Sequence, residues 1–192
     1  MVDTAEKVTY EIRWHGRGGQ GAVTSSKILA EAAFRSGWSG VTAAPSFGAE
    51  RRGAPITAST RMAHEPIRIL SQVTTPDVVV VLDDSLLEVA NATAGLVPGG
   101  TVIVNTVRPA AELGLGEGVR VVTADVTGSA MAAGVLVGGT PMVNTAILGS
   151  IAAATGLVTL ESVEEAIAEA FPPGPAEKNI EAARLAFQCT NG

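Results

Sequence analysis

Short apolar runs alternate along the chain with longer stretches in which apolar residues recur every three or four positions, as is typical of an α/β protein. The apolar runs predict strands at residues 8–14, 41–44, 78–82, 101–105 and 119–123. The longer stretches predict helices at residues 22–36, 85–93, 126–136, 143–154, 160–171 and 177–187. Because residues 78–82 contain no polar position, we expect both faces of this strand to be covered in a parallel sheet.

Two extended segments interrupt this alternation after Pro45. Residues 56–62 and 67–70 flank a turn at residues 63–66, which predicts an inserted β-hairpin. The order strand, glycine turn, helix at the start of the chain predicts a doubly wound, Rossmann-like, mostly parallel sheet with helices on both faces. No repeat or long linker marks a second domain, so we expect a single domain over residues 1–192.

A glycine-rich turn joins the first strand to the first helix. Its residues match the pattern G-x-G-x-x-G and are Gly16, Arg17, Gly18, Gly19, Gln20 and Gly21. Such a turn can expose backbone amides to an anion at the N-terminus of a helix. A dinucleotide site would also need an acidic residue after the second strand, and residues 41–45 contain none. A glycine turn required only for tight packing is therefore the main alternative.

A pair of arginines, Arg51 and Arg52, lies between Gly48 and Gly53 in a segment predicted to be an exposed loop. Arginine binds phosphate and carboxylate groups through paired hydrogen bonds. The same pair could instead form a salt bridge to an acidic partner subunit, or be solvated beside Glu50. The residues alone do not decide between these functions.

The sequence offers little support for catalysis by this chain. It has no Gly-x-Ser-x-Gly motif, and Cys189 lies near the C-terminus without a basic neighbour. Asp83 and Asp84 could act as an acid/base pair, although a helix cap at Asp84 or Ser85 is the favoured interpretation. His15 is more typical of a structural residue than of a proton carrier. The pattern predicts a binding surface without a catalytic set.

Composition excludes several further classes of function. The chain has 13 Lys and Arg against 19 Asp and Glu, a net charge of -6, which argues against nucleic acid as a partner. No apolar stretch reaches the length of a membrane span. Residues 1–14 do not resemble a secretory signal, so we expect a cytoplasmic location. A single cysteine cannot support an iron–sulfur cluster or a cysteine zinc site, and we expect no metal on this chain.

Taken in order, the glycine turn and the arginine segment resemble the gamma subunit of the pyruvate:ferredoxin and related 2-oxoacid:acceptor oxidoreductases. Phe47 and Ala54 depart from this family, many of whose members have Tyr and Gly there. The matching motifs extend over nearly the whole chain and are Gly16 to Gly21, Pro45 to Gly53, Thr60-Arg61, Pro66-Ile67, Pro76-Asp77, Pro98 to Gly100 with Asn105, Asn144-Thr145, Leu148-Gly149 and Glu177-Lys178-Asn179.

The resemblance implies a noncatalytic subunit of a complex that oxidatively decarboxylates a 2-oxoacid to acyl-coenzyme A and carbon dioxide. It implies alpha, beta and delta partner subunits, which would hold thiamine diphosphate, Mg²⁺ and iron–sulfur clusters and pass electrons to ferredoxin or another acceptor. It further implies that Arg51 and Arg52 lie toward coenzyme A. The alternatives are a stand-alone NAD(P)- or flavin-binding oxidoreductase and a purely structural subunit.

Overall fold

The computed structural model describes residues 8–45, 52–68 and 71–192. Its main strands are β1 (Thr9–Arg17), β2 (Gly40–Pro45), β3 (Pro55–Ala63), β4 (Val78–Val81), β5 (Thr101–Asn105) and β6 (Arg120–Ala124), followed by the short β7 (Leu136–Val137) and β8 (Thr140–Pro141). Its α-helices are α1 (Ala22–Arg35), α2 (Leu86–Val89), α3 (Val126–Ala132), α4 (Ala146–Thr155), α5 (Leu160–Ala170) and α6 (Pro173–Gln188), and a 3₁₀ helix spans Ala110–Leu113.

Within these residues, six strands form one sheet in the order β2-β3-β1-β4-β5-β6. Strands β1, β4, β5 and β6 are parallel to one another, whereas β3 is antiparallel to both β1 and β2. The prediction of a mostly parallel α/β sheet is therefore confirmed. After β1 the chain runs to β2, which lies on one side of β1 in the sheet, and it later enters β4, which lies on the other side. At such a reversal of strand order a crevice is expected between the carboxyl ends of the two neighbouring strands, here β1 and β4.

Both faces of the parallel part of the sheet are covered, as the valine strand predicted. Val78, Val79, Val80 and Val81 are all buried. Val78 and Val80 pack with Ile12 and Trp14 in the larger core, which includes buried residues of α1, α3, α4, α5 and α6. Val79 and Val81 pack on the opposite face with Leu86 of α2 and with nearby loop residues. Helices thus lie on both faces, with most of them on one.

The inserted antiparallel hairpin is present, but β3 pairs with β2 in it and not with residues 67–70 as predicted. Strand β3 is flanked by β1 and β2, so it has no free edge for residues 67–70. Ile67 and Arg68 lie outside the strands, while Ile69 and Leu70 lie outside the described residues. A second, small hairpin is formed by β7 and β8, and the predicted third helix extends past the end of α3 into the first residue of β7. Gly138 and Gly139 both have positive φ, the backbone that a two-residue hairpin turn requires.

The later helices differ from prediction at their ends. Helix α5 is capped by Thr159, whose hydroxyl accepts a hydrogen bond from the Ser162 amide at 3.0 Å. Helix α6 begins at Pro173, because proline is tolerated in the first turn, where its missing N–H would have no partner. None of the helices in the described ranges is long and apolar enough to cross a membrane.

Candidate functional site

Two glycines of the turn after β1 are closely surrounded by other residues. A Cβ atom on Gly16 would lie 3.1 Å from Leu82 Cδ1 and 3.2 Å from Ala22 Cβ. Gly21 caps α1 with φ of 82°, and a Cβ atom there would lie 2.8 Å from Asn144 Cβ. These contacts support a packing function for the turn, which was the main alternative to ligand binding.

Gly18 is held by the segment that follows the predicted arginine loop. Its N–H donates to the Ala54 carbonyl at 2.8 Å, and its carbonyl accepts from the Gly53 N–H at 3.0 Å. In a dinucleotide-binding turn the second glycine lets the backbone approach the pyrophosphate. Here both backbone groups of that glycine are engaged within the chain, and Gly18 forms a parallel bridge with Arg52.

Arg17 occupies the crevice between the carboxyl ends of β1 and β4. Its Nε donates to Asp83 Oδ2 at 2.9 Å, its Nη1 to the Gly53 carbonyl at 3.1 Å and its Nη2 to Ser85 Oγ at 2.7 Å. Its backbone N–H donates to Gln20 Oε1 at 2.7 Å. The guanidinium therefore links the glycine turn, the end of β4 and the segment that carries Arg52.

Asp83 and Asp84 point to different partners. Burial raises the pKa of Asp83, but hydrogen bonds from Ser85 and Arg17 outweigh it, so the net pKa lies below the ordinary value. Asp84 accepts a hydrogen bond from Thr106 Oγ1 at 2.8 Å. Ser85 occupies the N-cap position of α2, but its side chain bonds Asp83 and does not cap the helix. The two carboxylates are therefore bound by different side chains.

Arg52 is exposed and lies at a cleft beside the glycine turn. Its guanidinium makes no hydrogen bond or ion pair with the residues that the structure describes. Arg51 lies outside the described residues, as does the stretch from Ser46 to Glu50. Of the predicted arginine pair, the structure thus places only Arg52.

The cleft has a volume of about 560 Å³ and two unlike walls. One wall is the glycine turn with Arg52 and Gly53, and the other is formed by Val137, Thr140 and Met142 at the β7–β8 hairpin. Val137 is 66% exposed. The cleft therefore has an exposed cation on one wall and apolar side chains on the other. Such a cleft can receive a ligand in which an anionic group is joined to an uncharged arm.

His15 lies away from this cleft, on the opposite face of β1 from Trp14 and lining another cavity. Its Nε2 accepts a hydrogen bond from Arg13 Nε at 3.1 Å, while its buried Nδ1 has no partner among the described residues. Burial, and then the charge of Arg13, lower the pKa of His15 to about 4. His15 is thus neutral at pH 7, as expected for a structural histidine.

The sequence did not indicate several residues of the site. The hairpin that carries Val137 was not predicted, since residues 137–142 were left between two helices, although Gly138-Gly139 is a hairpin signal that could have revealed it. Asp83 was considered for acid/base chemistry and not as the partner of Arg17. Its role could have been anticipated, because the carboxyl ends of adjacent parallel strands lie at one edge of a sheet.

The chain matches, over residues 11–189, the family model described as pyruvate ferredoxin/flavodoxin oxidoreductase. It is 54% identical to the pyruvate/ketoisovalerate oxidoreductases common subunit gamma of Thermococcus kodakarensis, covering 94% of this chain and 96% of the relative. It is 48% identical to the pyruvate synthase subunit PorC of Methanothermobacter marburgensis, and the match covers 93% of this chain and 96% of that protein. The crystal structure of pyruvate oxidoreductase subunit PORC from Thermotoga maritima superimposes with a TM-score of 0.82 at 37% identity. This superposition covers 96% of this chain and 98% of that structure.

Proposed function

The chain belongs to the pyruvate ferredoxin/flavodoxin oxidoreductase family, and from this premise we propose that it is the gamma subunit of a 2-oxoacid:acceptor oxidoreductase that contributes to coenzyme A binding. The complex would convert a 2-oxoacid and coenzyme A to acyl-coenzyme A and carbon dioxide, passing two electrons to ferredoxin or another acceptor. The names of the relatives favour pyruvate or a branched-chain 2-oxoacid as the substrate.

In this proposal the redox chemistry lies on the alpha, beta and delta partner subunits. An iron–sulfur cluster needs several cysteine ligands, and the chain has only Cys189. Among the described residues, no three His, Cys, Asp or Glu side chains are grouped as a metal site would require. Asp83 and Asp84, the candidate acid/base pair, are bound to Arg17 and Thr106. The residues present therefore fit a noncatalytic subunit.

The observation that carries the coenzyme A assignment is the exposed Arg52 at the cleft beside the glycine turn. Coenzyme A joins phosphate groups to an uncharged pantetheine arm. Arg52 could pair with a phosphate, and Val137 and Met142 could contact the arm. The chain carries a net charge of -6, so a cation without an acidic partner among the described residues is an informative feature.

The test is the KM for coenzyme A of the purified complex with Arg51→Ala or Arg52→Ala. Loss of a charged hydrogen bond to phosphate should raise this KM about ten- to a hundredfold, with kcat at saturating coenzyme A retained. Arg68→Ala is the matched control, since Arg68 is exposed and lies near Val8 and Thr9 at the other end of β1. An unchanged KM in both variants, with assembly impaired, would favour a purely structural subunit.

A stand-alone NAD(P) or flavin enzyme has less support from the same region. The backbone of Gly18 is engaged by Gly53 and Ala54, and Arg17 fills the crevice between β1 and β4. Calorimetric titration of the purified chain with NAD(H), NADP(H) and FAD separates the two functions. Micromolar binding of any of them would favour the stand-alone enzyme.

A further inference from the structure

We propose that Arg17 is a positioning residue, which fixes the segment carrying Arg52 at the mouth of the cleft. This inference rests on the proposed role of Arg52 in coenzyme A binding. Arg17 itself is already bound by Asp83, Ser85 and the Gly53 carbonyl, so its guanidinium acts on the ligand through its neighbour.

The peptide groups on either side of Gly53 are held from two directions. The Gly53 N–H donates to the Gly18 carbonyl at 3.0 Å, and the Gly53 carbonyl accepts from Arg17 Nη1 at 3.1 Å. Arg52 immediately precedes this anchored residue. Gly53 itself has φ of 80° and is exposed, with no atom of the described residues within 4 Å of where a Cβ would stand. The backbone of Gly18 therefore holds the Gly53 N–H, and the side chain of Arg17 holds the Gly53 carbonyl.

The anchor is fixed to a rigid part of the sheet. Asp83 follows β4, whose four valines are buried, and its carboxylate accepts from Arg17 Nε at 2.9 Å. Ser85 accepts from Nη2 at 2.7 Å, which sets the plane of the guanidinium. Three separate nitrogens are used, so the contact depends on the planar fork of arginine. A lysine at position 17 could keep a charge near Asp83 but could not reproduce all three hydrogen bonds.

The first test is a double-mutant cycle on the KM for coenzyme A in the purified complex. Arg17→Lys should raise the KM about three- to tenfold at unchanged kcat, the range expected for one lost hydrogen bond. In the Arg52→Ala background the same substitution should have no further effect, because Arg17 acts only through Arg52. Independent, multiplying effects would overturn the proposal, and so would an unchanged KM in Arg17→Lys.

The second test does not depend on coenzyme A. Hydrogen exchange of the Gly18 and Gly53 amides is measured in the ¹⁵N-labelled full chain, where both are hydrogen-bonded. Arg17→Lys should speed exchange of these amides about fivefold or more while leaving buried amides of β4 unchanged. Arg35→Lys, which removes another fork that binds Glu165 and Glu169, is the matched control.

The two tests separate the two ideas. If the Gly53 amide exchanges faster in Arg17→Lys but the KM for coenzyme A is unchanged in Arg52→Ala, the anchoring role of Arg17 is supported and the coenzyme A function of Arg52 is refuted. Unchanged exchange in Arg17→Lys would overturn the positioning role, whatever the KM of Arg52→Ala.

Discussion

Replacement of Gly149 by alanine tests how closely α4 and α6 approach each other. A Cβ atom on Gly149 would lie 1.9 Å from the Ala183 carbonyl oxygen and 3.1 Å from the Phe187 nitrogen, both backbone atoms of α6. The first distance is more than an ångström shorter than the ordinary contact, which begins at 3.4 Å. A side-chain rotation cannot relieve this clash, so α6 must move away from α4.

The expected cost follows from two opposing effects. Overpacking a buried contact costs about 1 to 3 kcal/mol, and the upper part of that range applies where the backbone has to shift. Alanine in place of glycine in a helix recovers about 1 kcal/mol of that cost. We therefore expect Gly149→Ala to lower the free energy of unfolding by about 2 kcal/mol, and the melting temperature by about 4 to 8 °C.

The assay is denaturant and thermal unfolding of the purified chain, followed by circular dichroism. Gly174→Ala is the matched control, since Gly174 lies in the first turn of α6 and a Cβ there would meet no atom of the described part of the chain within 4 Å. It should be neutral or slightly stabilising. If Gly149→Ala were as stable as Gly174→Ala, the close approach of the two helices would be refuted.

Substitutions at two further positions probe buried polar groups in β1 and β3. His15 has a folded pKa of about 4 against 6.5 when unfolded, so its neutral form stabilises the fold above pH 6.5. This contribution to the free energy of unfolding, about 3 kcal/mol, is lost as the pH falls from 6.5 toward 4. In urea unfolding over this pH range, the free energy of unfolding of His15→Gln should therefore fall less than that of the unsubstituted protein. Thr60 accepts from Trp14 Nε1 at 3.0 Å, so Thr60→Val should cost about 1 to 3 kcal/mol, whereas Thr60→Ser should keep most of the stability. Equal unfolding midpoints for the Val and Ser variants would contradict a contribution from this hydrogen bond.

Local pattern was sufficient where a residue's own neighbours along the chain decide its structure. Residues 101–105 were predicted as a strand and form β5, and the unbroken apolar run at 78–82 correctly indicated a strand buried on both faces. Pattern was not sufficient for helix contacts: Gly149 of α4 lies directly against α6, whereas Ala153 of the same helix is exposed. Small size alone does not tell which side of a helix meets its neighbour.

The sequence by itself therefore determined the α/β class, the position of the glycine turn and the choice of arginine as the candidate ligand-binding side chain. Only the tertiary structure decided that β3 pairs between β1 and β2, which brings Arg52 beside Gly18. It also joined Arg17 to Asp83, 66 residues further along the chain. The physical reason is that hydrophobic periodicity sets which face of an element is buried, whereas strand order and side-chain partners depend on contacts between segments distant in sequence.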